Sequence, residues 1–371
     1  MSYTLKSLAS YAKDFPGFPT AKSERWRFSH LSPWLDEPLE NVALERKAVD
    51  FETPYSLVVE NGELVSQHIP EGVEIGFECY EGIEHPQNPF NILNAAYAPI
   101  LCIHIAQSFE GILQVVYQYG SGLRHSRVGI HLEADACARV IERFVGGSGS
   151  FITHHSAWLL QPRSTLEHTL IQDLDPSAAM VSEMAFELAA DADAKACHIA
   201  NGGAYHQHFA TAELGEASRM RMHALLMGHE HQRQVLCTDF NHGGPKSRSY
   251  QLSKQILNGE SVAVFDGKAL IDSGAQGSEA IQGAHSLLLS REAQVHAKPH
   301  LEIYTDDLKA SHGATVGQLD EEAMAYLQSR GISEATARRM MIDAFASEVL
   351  EQVEDEALRE HIETLTGSHH E

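Results

Sequence analysis

Between Tyr55 and Tyr304 the chain is a succession of short β-type runs: YSLVVE, VEIGF, PILCIHI, ILQVVYQ, VGIHL, HTLIQDL, RMRMHALLM, RQVLC, SVAVF and LEIY. Gly, Asn, Asp or Ser punctuate many of them. Short strands at such spacing predict an all-β sandwich, barrel or solenoid. Hairpin chemistry is sparse. Asn-Gly occurs at Asn61-Gly62, Asn201-Gly202 and Asn258-Gly259, but most connections lack the two-residue loop of antiparallel pairs. Such connections suit a parallel β-helix, where each strand stacks on the coil below; periodicity alone leaves sandwich and solenoid both open.

The pattern changes at both ends. Leu5, Leu8 and Tyr11 lie about one helical turn apart and Pro16 and Pro19 stop that helix, so residues 1–50 read as helical or irregular. Past Gly317, Leu319, Ala323 and Leu327 recur at i+4 behind the acidic turn Asp320, Glu321 and Glu322, and Gly331 ends this helix. Ser333 is the N-cap of a longer helix with the stripe Met341, Phe345, Val349 and Val353, flanked by Ile342 and Leu350. Its other face carries Arg338, Arg339, Glu348 and Glu351, and a further turn or helix holds Leu358 and Ile362. The expected division is 1–50, a β core over 51–312, and a helical domain over 313–371. A helix pair at a solenoid end either caps the last coil or docks another protein.

Fifty-one acidic against 27 basic residues give a net charge of -24, a field that repels phosphate backbones and anionic headgroups. Nucleic-acid and membrane partners are therefore not expected. With no apolar stretch of membrane-spanning length, and with MSYTLKSLAS lacking signal or transit character, the expected location is cytoplasmic. Cys79, Cys102, Cys137, Cys197 and Cys237 are scattered and form no CxxC pair. They read as small buried hydrophobes in a reducing compartment, not as a disulfide framework or a zinc site.

Histidine is over-used, with 23 copies. His206 and His208 form one HxH pair and His229 and His231 another, 23 residues further on. In strands, i and i+2 share a face. If one coil were about that long, the four imidazoles would stack as a zinc, iron or nickel site; the ordinary alternative is solvated histidines on a polar face. His312, between Ser311 and Gly313, could approach a partner surface closely, or cap the following helix. The run from His242 to Ser247 lacks phosphate-loop spacing and contains Pro245, and neither a GxSxG elbow nor an HExxH helix occurs.

Three stretches together carry a resemblance: PTAKSERWRFSHL at Pro19–Leu31; Gln251 through Phe265 and Ala275 to Leu287–Ser290, with KPHLEIYTDD behind it; and SHGATVGQLDEEAMAYLQSRGI at Ser311–Ile332, continuing into ARRMMIDAFASEVLEQV. They resemble the SufB/SufD family of iron-sulfur cluster assembly proteins, on its SufD side, since the turn at Ser311-His312-Gly313 lacks the cysteine and Glu-His-Glu-type run of SufB. The resemblance implies a right-handed parallel β-helix that pairs with SufB, C-terminal helices that bind the SufC ATPase, and no catalysis or nucleotide site of its own. It also implies a transient iron-sulfur cluster at the SufB/SufD interface with His312 participating, and reduced flavin as a candidate ligand of the full complex. Homodimerisation is the alternative for the isolated chain. Relatives commonly read Cys-Ser-His where this chain reads Ala310-Ser311-His312, so a thiol role there is absent. Arg338, Arg339, Met341, Phe345 and Glu348 are the expected contacts to SufC. The rivals are a β-helix carbohydrate-active enzyme, with Asp306-Asp307 as its carboxylates, and a self-assembling structural β-helix.

Overall fold

The computed structural model describes the chain apart from residues 1, 10–11, 13–14, 30, 41, 43, 45, 47–50, 77–87 and 368–371; Tyr11 and Cys79 lie outside the described residues. Its centre is a parallel β-helix of two sheets, one nine-stranded and one ten-stranded, in which the chain alternates between sheets. The regular coil follows from two lengths. Strands of ten residues, such as Thr165–Leu174 and Ala179–Leu188, alternate with corners of four, such as 161–164 and 175–178. Each strand is therefore in register with the residue about 28 positions on, as Thr165 is with Asp193 and Tyr205 with Arg233.

One corner repeats a backbone device. Asp135, Arg163, Asp191, Ala217 and Lys246 occupy the left-handed region at successive coils, with φ between 55° and 64°, and Gly277 continues the series. Each donates its N–H to a carbonyl on the next coil, from Asp135 N to Pro162 O at 3.1 Å through Gly277 N to Asp307 O at 2.7 Å. The turns thus stack as a ladder and leave no buried backbone donor unpaired there. The Gly243-Gly244 pair serves this stacking: a Cβ at Gly244 would fall 2.2 Å from the backbone nitrogen of Glu216.

Alternation sorts the strands' side chains. Inward residues such as Val140, Phe144, Trp158, Leu170 and Phe186 form the main core. The outer face of the nine-stranded sheet is covered by the N-terminal segment and the helix Phe90–Tyr97, with Trp26, Leu31 and Phe90 on Phe151, Tyr205 and Phe209. The segment before residue 50 holds the short helices Leu5–Ala9 and Ser32–Leu35. The first coil is closed by antiparallel strands, Glu63–His68 on Tyr55–Glu60 and Val73–Gly76 on Ile100–Ile105.

At the C-terminal end one boundary needs correction, and one of two readings left open is decided. The last strand, Leu308–Gln318, extends past residue 312, so helix begins only at Glu321. Nearly all of this strand is exposed, so no burial pattern marks it as a strand in the sequence. Secondly, the helices do not cap the last coil. Glu334–Leu350 and Glu356–Gly367 lie on the outer face of the ten-stranded sheet, where Ile342, Ala346, Val349, Leu350, Leu358 and Ile362 meet Ile141, Ile171, Ile199, Leu225 and Ile256. No helix among the described residues is long and apolar enough to cross a membrane.

Candidate functional site

Among the described residues the strands Gln294–Ile303 and Leu308–Gln318 each pair on one side only, so at this end both sheets finish in a long unpaired edge. Exposed edges of this length are templates for pairing with another chain. Exposed Ile303, Tyr304 and Val316 lie at the same end. His312 is in register with Gln282, whose side chain is buried inside the coil and donates to Gln251 Oε1 at 3.3 Å. It therefore extends an inner polar column to the uncovered face. Its surroundings are small, and a Cβ at Gly313 or Gly317 would meet nothing within 4 Å. On the neighbouring strand, His285 Nδ1 lies 2.8 Å from Thr315 Oγ1. Asp306 and Asp307 are adjacent, exposed corner residues beside this end.

The thiols lie elsewhere. Residues 248–318 contain no cysteine. Cys197 is buried under the C-terminal helices and Cys237 under the N-terminal segment, and burial pushes both thiols up to about 12. The expectation of buried free thiols fails at two positions: Cys137 is exposed, and Cys102 is buried but disulfide-bonded.

From His312 the chain reaches the helices in a few residues. Asp320 caps Glu321–Ser329, its carboxylate accepting from Glu322 N at 2.8 Å and Ala323 N at 3.1 Å. This helix buries no residue and exposes Tyr326. A groove of about 450 Å³ separates it from the solenoid, lined by Leu288, Gln318, Met324, Gln328 and Arg338.

The longer helix is latched by charges as well as apolar contacts. Lys254, largely buried on the sheet, reaches Glu348 Oε2 at 2.6 Å and donates to Phe345 O at 2.8 Å, with its ammonium 4.7 Å from the Phe345 ring centroid. Lys195 holds Glu354 at 2.5 Å, and Arg143 Nη1 lies 3.1 Å from His361 Nε2. Of the residues expected to dock a partner, Phe345 and Glu348 thus face the solenoid, Arg338 and Met341 are half-buried, and Arg339 is exposed beside exposed Met340. The buried stripe is Ile342, Ala346, Val349 and Val353, while Met341 and Phe345 are only partly buried.

The expected histidine quartet does not form. His206 pairs with Gln234 and His208 with Leu236, 28 residues on, so the 23-residue spacing leaves the second pair out of register. His229 and His231 stand on the following corner, where His231 is exposed with Nδ1 3.5 Å from Glu260. His206 and His208 point inward and meet His198, which sequence reading missed; a lone histidine in ACHIA gives no signal without the coil register.

Residues 116–345 match the family described as SUF system FeS cluster assembly, SufBD core domain. The chain is similar to the iron-sulfur cluster assembly protein SufD of Escherichia coli, 33% identical over 72% of this chain and 63% of that protein. It is similar to the chloroplastic protein ABCI7 of Arabidopsis thaliana, 26% identical over 92% of this chain and 81% of that one. A SufBD family protein of Synechocystis is 43% identical over 29% of this chain and 24% of its own. The match to the Escherichia coli protein thus leaves more than a third of that relative's length uncovered.

Proposed function

This chain belongs to the SufBD core family of the SUF iron-sulfur assembly system, and from that premise we propose that it is a non-catalytic scaffold subunit that pairs with SufB through its open solenoid end and docks SufC through its C-terminal helices. The observation that carries the reading is the edge at that end. Two strands of ten and eleven residues are left without a partner, and one of them bears His312. A sister β-helix presenting matching edges would satisfy those backbone groups and bring its own thiolates to His312, and the nascent cluster, as cargo, would be held across the seam. Neutral imidazole is a sound iron ligand when thiolates come from the other side.

The helices supply the second half. The strand carrying His312 runs almost directly into Glu321–Ser329, and the following helix is fixed to the sheet by apolar contacts and by Lys254, Lys195 and Arg143. A motor gripping the exposed face around Tyr326, Arg339 and Met340 would therefore pull on the seam, not on a loose tail. The decisive experiment compares wild type and His312→Ala co-expressed with SufB and SufC in cells that depend on SUF. The variant is expected to co-purify normally and to lose cluster supply. Normal supply from His312→Ala would remove the residue from the mechanism, and a stable SufC complex with a chain truncated after Leu319 would remove the helices from docking.

A further inference from the structure

A second group of potential ligands lies deep inside the solenoid, far from the open end. His198 is on the strand Asp193–Ala200, and His206 and His208 are on Tyr205–Leu214, the two strands being joined by the corner 201–204. All three are about 1% exposed. Their ring centroids are 4.4 Å apart for His198 and His208, 5.4 Å for His198 and His206, and 5.9 Å for His206 and His208. One ligand nitrogen from each lies within 4.8 Å of the others. Ser182, on the neighbouring coil and in register with His208, places its Oγ 3.0 Å from His206 Nε2 and 2.8 Å from His208 Nδ1.

Hydrogen bonding within the chain does not account for this cluster. Both ring nitrogens of His198 and the Nε2 of His208 are buried without a hydrogen-bond partner among the described residues. A neutral imidazole has one donor and one acceptor, and leaving either unmade in a dry interior is costly. Apolar residues would fill the same volume without that cost, as they do in most of the core. Next to the rings in the ladders stand Leu170 and Ala224 beside His198, Met180 and Gln234 beside His206, and Leu236 beside His208, with Ala196, Ala200 and Ala210 two positions away along the strands. Burial, the largest influence on each, holds all three imidazoles in the neutral, ligand-ready form; for His206 it lowers the pKa to about 3. A negative charge is also at hand in the same interior, since the carboxylate of Glu142 is buried against His168 at 3.1 Å.

We propose that His198, His206 and His208, with the Ser182 hydroxyl as fourth donor, form a buried tetrahedral site for one zinc ion. Three imidazoles and one oxygen donor are a familiar tetrahedral zinc set. Zinc binds nitrogen at about 2.0–2.1 Å, which would draw the three nitrogens from within 4.8 Å to roughly 3.3 Å of one another. The ion would tie two adjacent coils at the middle of the solenoid. It is distinct from the seam: the register column of His198 passes through Ala224, Ser253 and Ala284 to Ala314, four coils or about 19 Å away at the usual strand spacing.

The test uses the full-length chain, expressed without a histidine tag in zinc-supplemented medium, purified through EDTA and analysed for metal by mass spectrometry. About one zinc per chain is expected in the wild type. Growth in cobalt is expected to give protein with the intense visible bands of tetrahedral Co²⁺. His198→Gln with His208→Gln should lose both signals. His104→Gln, which disrupts the partly exposed His104, His131 and Glu133 group, should keep both. If the double variant does not fold by circular dichroism, His198→Gln alone decides, because that ring has no hydrogen bond to lose. Wild type free of metal, or metal retained after loss of His198, would overturn the proposal.

Discussion

Replacing Ile342 with alanine asks what holds the C-terminal helices to the solenoid. Ile342 is fully buried between the helix and the ten-stranded sheet, and its neighbours in that seam are aliphatic. Deleting such a side chain costs about 2–5 kcal/mol, and the flat sheet face beneath it cannot collapse to fill the gap, so about 3 kcal/mol is the working value. Glu348→Gln removes the ion pair of the same helix with Lys254 instead. Its carboxylate is half exposed, so solvent screening reduces the pair to ~0.5–1 kcal/mol even at 2.6 Å from Lys254. Hydrogen exchange of the amides in Glu334–Leu350 reads both as local opening. At about 1.4 kcal/mol per decade, Ile342→Ala should lower protection roughly a hundredfold and Glu348→Gln only a few-fold. The hydrogen bond and charge of Lys254 hold the Glu348 carboxyl below its usual value. Its contribution is therefore complete above the unfolded pKa and is lost as pH falls through the folded one, leaving the comparison unaffected at neutral pH. Equal or greater loss of protection in Glu348→Gln would refute the view that apolar contact dominates this latch.

Other outcomes follow from the interior and the corners. Burial alone would raise the carboxyl of Glu142, but His154 and His168 outweigh it and hold it well below the carboxylate range; Glu142→Gln should cost about 3 kcal/mol by urea titration at pH 7. In the wild type that contribution is present above the unfolded carboxylate pKa and should fade as pH drops through the folded one, which acid titration of stability will show. Gly244→Val should cost about 3 kcal/mol or more in the same assay, because the added carbon meets the backbone of Gly215 and Glu216. Among the three free cysteines, Cys137 should react first with a thiol reagent in native protein, with Cys197 and Cys237 modified only on unfolding, as peptide mass mapping will show.

The β-helix was legible in the recurrence of short runs without hairpin turns, but choosing it over a sandwich rested on resemblance, because both folds use similar strands. Coil length was not legible. A 23-residue spacing of HxH pairs looked like a period, whereas the corners and strands set one of about 28, and so His198 rather than His229 joined His206 and His208. The strand through His312 was invisible as a strand because neither of its faces is buried, and burial is what writes alternation into a sequence. Helix starts at Asp320 and Ser333 were readable from capping chemistry alone. The buried stripe was legible in part: Val349 and Val353, with flanking Ile342 and Leu350, are buried, whereas Ala337 and Ala346 carry too little hydrophobic weight to signal their burial.

The two extremities of the solenoid are unlike. One is finished by short strands of six and four residues running against the grain, with Glu63, Gln67 and His68 on the outermost of them. The other ends in strands of ten and eleven residues that pair on one side only among the described residues. Edges of six and four residues cannot match edges of ten and eleven strand for strand, so identical rods stacked head to tail would pair poorly, which disfavours growth into a fibre.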